Sequence, residues 1–369
     1  MTSGKRIAVA MSGGVDSTLA AALLVEQGCD VFGLTMDLSS VQRNLYAEPG
    51  KDTGTPLENG LRGKDVEDAA DAARFLNIPH RVVDISREFR KRVVDYFVSE
   101  YRHGRTPNPC IRCNETIKFS LLLEKALDLG ADGLATGHYA GIAEHPETGR
   151  RRIKKGRDPD KDQSYFLYRL NQDRLSRVVF PIGGMTKPEV RKQASLRGLP
   201  AASRDESQEI CFIPGNDYAG LLHKMIPEAF VPGSIVDEKG REMGRHQGIL
   251  HYTIGQRRGL GIAAAHPLYV LEIRPEDNTV VIGENSGLLR KDLTAGDLFL
   301  NDPAVPGDCF DVRARIRYRH QESPASVCIE EENRVTVNFY SPVRAVTPGQ
   351  SVVFYEGDEV LGGGIIQRR

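Results

Sequence analysis

Ile7-Ala8-Val9-Ala10-Met11-Ser12-Gly13-Gly14-Val15-Asp16-Ser17 is the stretch that decides the fold of this chain. An apolar run passes through a serine and two glycines into residues 18–27, which suit a helix. A short strand that ends in small residues and opens into a helix aims backbone N–H groups, and the positive end of the helix dipole, at one spot. That spot selects an anion. No Gly-Lys-Ser/Thr follows, so this is not a Walker loop, and the G-x-G-x-x-G spacing of a dinucleotide site is absent. Asp16, beside the small phosphate-facing residues, suits a pyrophosphate bridged by Mg²⁺. A glycine-rich turn without ligand is the plain alternative, and the strand before and helix after disfavour it.

Outward from this loop, the first 205 residues alternate short apolar runs (7–11, 31–36, 81–85, 133–136) with helical stretches (17–27, 65–77, 87–103, 115–129). Buried strands separated by amphipathic helices imply a doubly wound α/β domain with a parallel sheet, whose ligands sit at the carboxyl ends of the strands. Ser12, Met36 and Thr136-Gly137-His138 then share one crevice. Residues 41–63, polar and rich in Gly, Pro and Asn, read as a surface insertion or lid to which no chemistry is assigned. Past Gly198 the pattern changes to short turn-bounded β-type runs at 234–236, 268–273, 280–282, 335–339 and 351–355. The expected organisation is a catalytic α/β domain over 1–208, a small central β-rich domain over 209–285 and a C-terminal β-barrel over 286–369.

With 369 residues, 40% of them apolar, and a net charge of −1, the chain has the composition of an ordinary globular protein of two or three domains. No apolar run reaches membrane-spanning length and no signal-peptide pattern opens the chain, so a cytoplasmic protein without a membrane partner is expected. Basic residues nevertheless cluster, at 87–92, 150–157 and 313–319. In a strand over 312–319, Val312, Ala314, Ile316 and Tyr318 would face one side and four arginines the other. Such a face is either solvated and ion-paired to acids such as Glu322 or Glu330, or it meets a polyanion, and arginine's ability to stack on bases favours RNA. The glycine-flanked basic loops at 244–248 and 255–261 repeat the theme.

Of the six cysteines, Cys29, Cys309 and Cys328 lie in or beside apolar stretches and read as small buried hydrophobes; stable disulfides are not expected in a reducing compartment. Cys110-Ile111-Arg112-Cys113 follows Gly104-Arg105-Thr106-Pro107-Asn108-Pro109 and precedes a helix beginning near Asn114. Thiols near a helix N-terminus tend to ionise easily, which favours a nucleophile. With Cys211, in Ser207-Gln208-Glu209-Ile210-Cys211-Phe212, the spacing leaves open a redox pair, a three-cysteine metal site or a buried structural pair.

The loop resembles the SGGxDS loop of the ATP pyrophosphatases. Over essentially its whole length the chain resembles the tRNA-specific 2-thiouridylases. The matching stretches are AMSGGVDS at 10–17, GRTPNPCIRCNETIKF at 104–119, ATGHYA at 135–140, KDQSYFL at 161–167, SQEICFI at 207–213, HYTIGQRRGLGI at 251–262, RIRYRH at 315–320 and AVTPGQSVVFY at 345–355. The resemblance implies an ATP-pyrophosphatase domain in which Ala10, Met11, Ser12, Gly13, Gly14, Val15, Asp16, Ser17, Met36 and Gly137 bind ATP with Mg²⁺. It implies that Cys113 is the nucleophile and that Cys211 carries a persulfide, which either attacks the uridine C2 directly or is attacked by Cys113 at its inner sulfur, the second route leaving a Cys113–Cys211 disulfide that a reductant reopens. Many members carry Asp where this chain has Cys110; that position is implied as a general acid or base, and with Asn108 and Pro109 it lies against the target base. Lys161, Asp162, Gln163, His138, Arg317, Tyr318 and Gln350 are implied to contact tRNA. Loss of His138 or Arg317 is then expected to weaken tRNA binding. The implied partners are a tRNA anticodon stem-loop with its wobble uridine, and an upstream sulfur-relay protein or cysteine desulfurase. A four-iron four-sulfur cluster on Cys110, Cys113 and Cys211 is the competing expectation, since related RNA thiolation enzymes use one. Another adenylating enzyme, such as a tRNA lysidine synthetase, and a non-catalytic RNA-binding protein are the alternatives.

Overall fold

The computed structural model describes residues 4–46, 63–202, 210–301, 309–330 and 333–368. Contacts divide the chain into two units that interleave along the sequence: Met1–Val93, Cys110–Phe212 and Asp358–Val360 form one, and Val94–Pro109, Ile213–Gly357 and Leu361–Arg369 the other.

The first unit is built on a parallel sheet. Its strands β1 (Arg6–Ala10), β2 (Asp30–Asp37), β3 (His80–Asp84), β4 (Gly133–Ala135) and β7 (Val178–Val179) stand in the order β3-β2-β1-β4-β7, while β5 (Ala140–Glu144) and β6 (Arg151–Lys155) pair as a hairpin. Every pairing within the five-stranded sheet is parallel: Ile7 lies opposite Val31 on one side and Gly133 on the other. The strand order reverses at β1, so the loops leaving β1 and β4 turn to opposite faces and leave a crevice between them. The helix α1 (Val15–Glu26) follows β1 directly, and its buried residues Val15, Leu19, Ala20, Ala21, Ala22 and Leu24 leave no broad polar face. A helix apolar nearly all round belongs in the interior. Here it packs on the sheet and on the helix Lys187–Leu196, through the cluster that joins Leu19 and Ala22 to Val190 and Ala194.

The second unit holds two β structures. A four-stranded sheet in the order β10-β11-β8-β9 is made from β8 (Gly233–Val236), β9 (Glu242–His246), β10 (Tyr269–Arg274) and β11 (Thr279–Gly283). Strands β12 (Leu289–Leu300), β13 (Cys309–Arg315), β14 (Ser323–Ile329), β15 (Val335–Arg344), β16 (Ser351–Glu356) and β17 (Glu359–Ile366) run in the order β12-β15-β14-β13-β16-β17, and pairing of β12 with β17 closes them into a barrel. Its core includes Leu293, Val312, Val327, Val337, Phe339 and Phe354.

Several expectations are corrected. Part of 41–63 is ordered secondary structure: a helix occupies Ser39–Tyr46 and another begins at Gly63, while 47–62 lie outside the described residues. The strand expected over 312–319 ends at Arg315, and Arg317, Tyr318 and Arg319 sit in the turn that follows. Alternation holds up to that point, with Val312 and Ala314 buried. Two of the four arginines are internally paired, as the ion-paired alternative foresaw: Glu322 meets Arg315 at 2.8 Å and Arg313 at 3.6 Å, and the Arg315 guanidinium lies 5.0 Å from the Tyr355 ring centre. Cys309 and Cys328 are not buried hydrophobes. They stand directly opposite each other on β13 and β14, near the surface, and are joined by a disulfide.

Candidate active site

Two clusters of the first unit carry chemistry, and the loop after β1 makes the first. Gly13 adopts φ +73°, and a Cβ there would lie 2.5 Å from the Asp68 Cβ, so only glycine satisfies both the left-handed backbone and the close approach of the helix Gly63–Phe75. Gly14 caps α1 with extended backbone and no side chain in the way. The amides of the first turn have no intrahelical acceptor. Side chains fix the turn: the Ser17 hydroxyl accepts from Ser12 N at 3.2 Å and donates to Gly14 O at 3.2 Å, and Thr18 Oγ1 donates to Gly14 O at 2.9 Å. On the neighbouring strand Thr35 Oγ1 donates to Met11 O at 2.9 Å, and Met36 sits half-buried at the end of β2.

Gly137, on the loop leaving β4, closes the crevice from the other side. A Cβ on it would stand 2.7 Å from both the Asp16 carbonyl carbon and the Ser17 nitrogen. The β4 loop therefore lies directly on the start of α1. The residues expected to hold ATP at 10–17, 36 and 137 thus gather at the carboxyl ends of β1, β2 and β4.

One cation there is not legible in the loop motif. Lys187 opens a helix fixed by a capping box, in which Glu189 Oε2 accepts from Thr186 N at 2.8 Å. Its ammonium donates to both Asp16 carboxylate oxygens, at 2.8 and 2.9 Å, and Tyr139 OH donates to the first of them at 2.7 Å. Burial, with the like charges of Arg191 and Lys161, outweighs Asp16 and holds the lysine below its usual range. The capping box Thr186-Lys187-Pro188-Glu189 is readable from sequence, but its approach to Asp16, 171 positions away, is not.

Of the residues expected to meet tRNA in this unit, Asp162, Gln163 and His138 make internal contacts. Asp162 is buried and accepts from Gly156 N and Ser164 N, both at 3.0 Å, and from Ser164 Oγ at 2.9 Å. Gln163 accepts from Tyr139 N at 2.9 Å through its side chain and donates to Tyr139 O at 2.9 Å through its backbone, so this loop aims Tyr139 at Asp16. His138 faces inward between Phe119 and Phe180, with Nδ1 2.7 Å from Thr136 Oγ1.

Burial, with the charge of Lys118, holds the His138 imidazole well below its ordinary 6.5. The unfolded chain therefore takes up this proton first, and stability falls as pH drops below about 6.5, by at most about 1.4 kcal/mol per pH unit from this group. In His138→Asn that share of the slope disappears. Urea midpoints at pH 7.5 and 5.5 measure it; an unchanged acid slope would count against a neutral His138.

The second cluster is sulfur. Cys110 and Cys113 lie on the short helix Pro109–Cys113, which runs on into the π-helical stretch Asn114–Leu122. Cys113 is buried, Cys110 half-buried and Cys211 exposed, all as thiols. Phe212 anchors the Cys211 segment: its ring packs at 5.8 Å against Phe89, and its carbonyl accepts from Tyr46 OH at 3.0 Å. Burial, reinforced by Cys211 and relieved in part by Lys118, pushes the Cys110 thiol up to about 11. The eased ionisation expected of a thiol near a helix N-terminus is thus reversed at Cys110, where desolvation wins. Among the described residues no three His, Cys, Asp or Glu side chains converge closely enough to hold a metal ion.

Asn108, Pro109, Arg317, Tyr318 and Gln350 belong to the second unit. There Arg317 donates to Ile254 O at 2.8 Å and bonds the Thr347 hydroxyl, while Gln350 Nε2 donates to Thr106 O at 2.8 Å. No helix among the described residues is long and apolar enough to cross a membrane.

Residues 5–215 match the family model of the tRNA methyl transferase HUP domain, 219–284 that of the tRNA methyl transferase PRC-barrel domain, and 290–366 that of the aminomethyltransferase beta-barrel domain. The tRNA-specific 2-thiouridylase MnmA of Geobacter metallireducens is 49% identical over 98% of this chain and 96% of its own length. The chain belongs to the tRNA-specific 2-thiouridylase family. Other 2-thiouridylases align equally fully: that of Lachnoclostridium phytofermentans is 48% identical over 98% of this chain and 99% of its own, and that of Carboxydothermus hydrogenoformans 47% identical over 99% and 98%. This 2-thiouridylase thus spans its relatives nearly end to end.

Proposed function

We propose that the chain catalyses ATP-dependent 2-thiolation of the wobble uridine of tRNA, in the cytoplasm, with sulfur carried as a persulfide on Cys211. The observation that carries this reading is that the buried Cys113 and the exposed Cys211 lie, as thiols, in the unit that also holds the anion loop. The uridine C2 carbonyl is a poor electrophile. Its oxygen attacks the α-phosphorus of ATP, the bond to the β,γ-pyrophosphate breaks, and an adenylated oxygen becomes the leaving group. Loop amides, the α1 dipole and Lys187 offset the charge gathering on the pyrophosphate. Asp16 is the loop carboxylate that would hold Mg²⁺, which when bound shields the phosphates.

Sulfur then replaces the activated oxygen. Either the terminal sulfur of the Cys211 persulfide attacks C2 and AMP leaves, or Cys113 attacks the inner sulfur and frees sulfide to do so. Both end with a Cys113–Cys211 disulfide, because in the first route Cys113 must cleave the sulfur–sulfur link that remains. A dithiol reductant reopens it. An upstream persulfide donor of the relay or desulfurase class reloads Cys211, whose exposure suits that exchange. Lys161, Arg317, Tyr318 and Gln350 support the tRNA side of this reading as polar or aromatic groups at or near the surface.

Cys110, protonated at neutral pH, is suited to donate a proton to the departing group rather than to attack. Cys110→Asp is expected to retain thiolation within about tenfold of wild type, and Cys110→Ala to fall by about a hundredfold; equal loss in both would remove the proton-transfer role. The overall reading is tested with purified protein, ATP, Mg²⁺, a cysteine desulfurase with L-cysteine as the persulfide source, a dithiol reductant and unthiolated tRNA, followed by nucleoside mass spectrometry. ATP-dependent 2-thiouridine at the wobble position supports it. Pyrophosphate release without a thiolated nucleoside would point to another adenylating enzyme.

A further inference from the structure

The anion loop contains its own competitor. The Asp16 carboxylate, in the first turn of α1, is bound on both oxygens by Lys187 and on one also by Tyr139. Lys187 is an odd residue for its position. Its side chain is only 9% exposed, and it opens a helix, where the macrodipole disfavours a cation. Arg191 and Lys161 act on it as like charges. A buried ammonium in such a place persists only with an anion against it. Two acids stand near these three cations: Asp16, and Asp158, which accepts from Lys187 N at 2.7 Å. The Tyr139 ring, 5.6 Å from the ammonium, completes the cage.

We propose that Lys187 is a phosphate-contacting residue held in reserve by Asp16, and that a nucleotide enters by exchanging its polyphosphate for the Asp16 carboxylate as the partner of this lysine. The proposal rests on the reading that the loop takes ATP. The pair keeps the buried cation neutralised and the site compact. The exchange swaps one anionic partner for another, so Lys187 is never left bare, and it frees the Asp16 oxygens on the pyrophosphate side. Tyr139, tied to Gln163 on both its backbone groups, stays in place as the fixed donor through the exchange.

The test is a binding cycle, with isothermal titration of ATP in EDTA and separately in Mg²⁺, on wild type, Asp16→Asn, Lys187→Met and the double variant. Thermal melts check that each is folded. If Asp16 sequesters Lys187, Asp16→Asn binds metal-free ATP about tenfold more tightly than wild type, and this gain is lost when Lys187 is also Met. Lys187→Met alone weakens ATP·Mg²⁺ by tenfold or more, and Lys187→Arg recovers part of the loss. An equal gain from Asp16→Asn in both backgrounds would mean that Asp16 merely repels phosphate, which overturns the exchange. Wild-type affinity in folded Lys187→Met would overturn the phosphate contact. A folded wild type that binds no ATP in either buffer would instead remove the nucleotide reading beneath the proposal, and the proposal with it.

Discussion

Gly137→Ala is expected to lower ATP affinity and tRNA-dependent pyrophosphate release by at least a hundredfold while leaving a folded protein. The new methyl carbon would stand 2.7 Å from two backbone atoms of the α1 start, the Asp16 carbonyl carbon and the Ser17 nitrogen, and 3.0 Å from the Asp16 Cβ. Backbone in the first turn of a buried helix has no rotamer to change. The β4 loop must therefore move off α1, taking Thr136 and His138 with it and tilting the amides that face the phosphates. A displacement near 1 Å in such a site is worth about a hundredfold in rate. The fold should survive, because the strain falls beyond the last residue of β4 and overpacking of this size costs about 1–3 kcal/mol. Calorimetric titration with ATP, beside a thermal melt, separates the two effects. Wild-type affinity in a folded Gly137→Ala protein would show that the β4 loop is not a wall of the nucleotide site.

Cys211→Ser should reduce thiolation more than a thousandfold and leave tRNA-dependent pyrophosphate release within a few-fold of wild type. A serine hydroxyl cannot accept a sulfane sulfur, so the cargo never reaches the site, whereas adenylation depends on a loop built from other elements. Little stability is at stake, since Cys211 is exposed and its segment is anchored by the neighbouring Phe212. Nucleoside mass spectrometry and a pyrophosphate assay on the same reactions measure both halves. Loss of both activities together would indicate that Cys211 supports the structure and does not carry sulfur.

What the sequence made legible is what neighbours in the chain determine. Residues 7–27 announce their strand, tight turn and helix because apolar periodicity and two glycines act locally, and β1 and α1 match within a few residues. The crevice followed from the rule that parallel strands present their loops on one edge. Pairings across the fold stayed hidden. Nothing near Cys309 says that Cys328 will stand opposite it, because register between strands is set by the whole barrel. The pairing of Arg315 with Glu322 is the exception, open as one alternative because the two charges lie close in the chain, although the turn that brings them together reads as more strand. Lys187 escaped notice because its meaning depends on a carboxylate far back in the chain. The helix at Ser39–Tyr46 was missed because polar residues beside a Gly- and Pro-rich stretch carry little periodic signal.

The interleaving of the two units has a consequence for how the protein is made. Residues 94–109, which lead into Cys110, take their partners from segments that emerge much later: Thr106 is bonded by Gln350, 244 residues on, and Gly104 packs against Pro275. At the pace of translation that interval is on the order of ten seconds or more. During it the parallel sheet can form around β1 and β2 while the approach to the cysteines waits on the ribosome. Residues 94–109 are thus held by their partners only once the Pro275 and Gln350 segments have emerged. A chain that stalls or is cut before Gln350 lacks the partner that holds Thr106 in place.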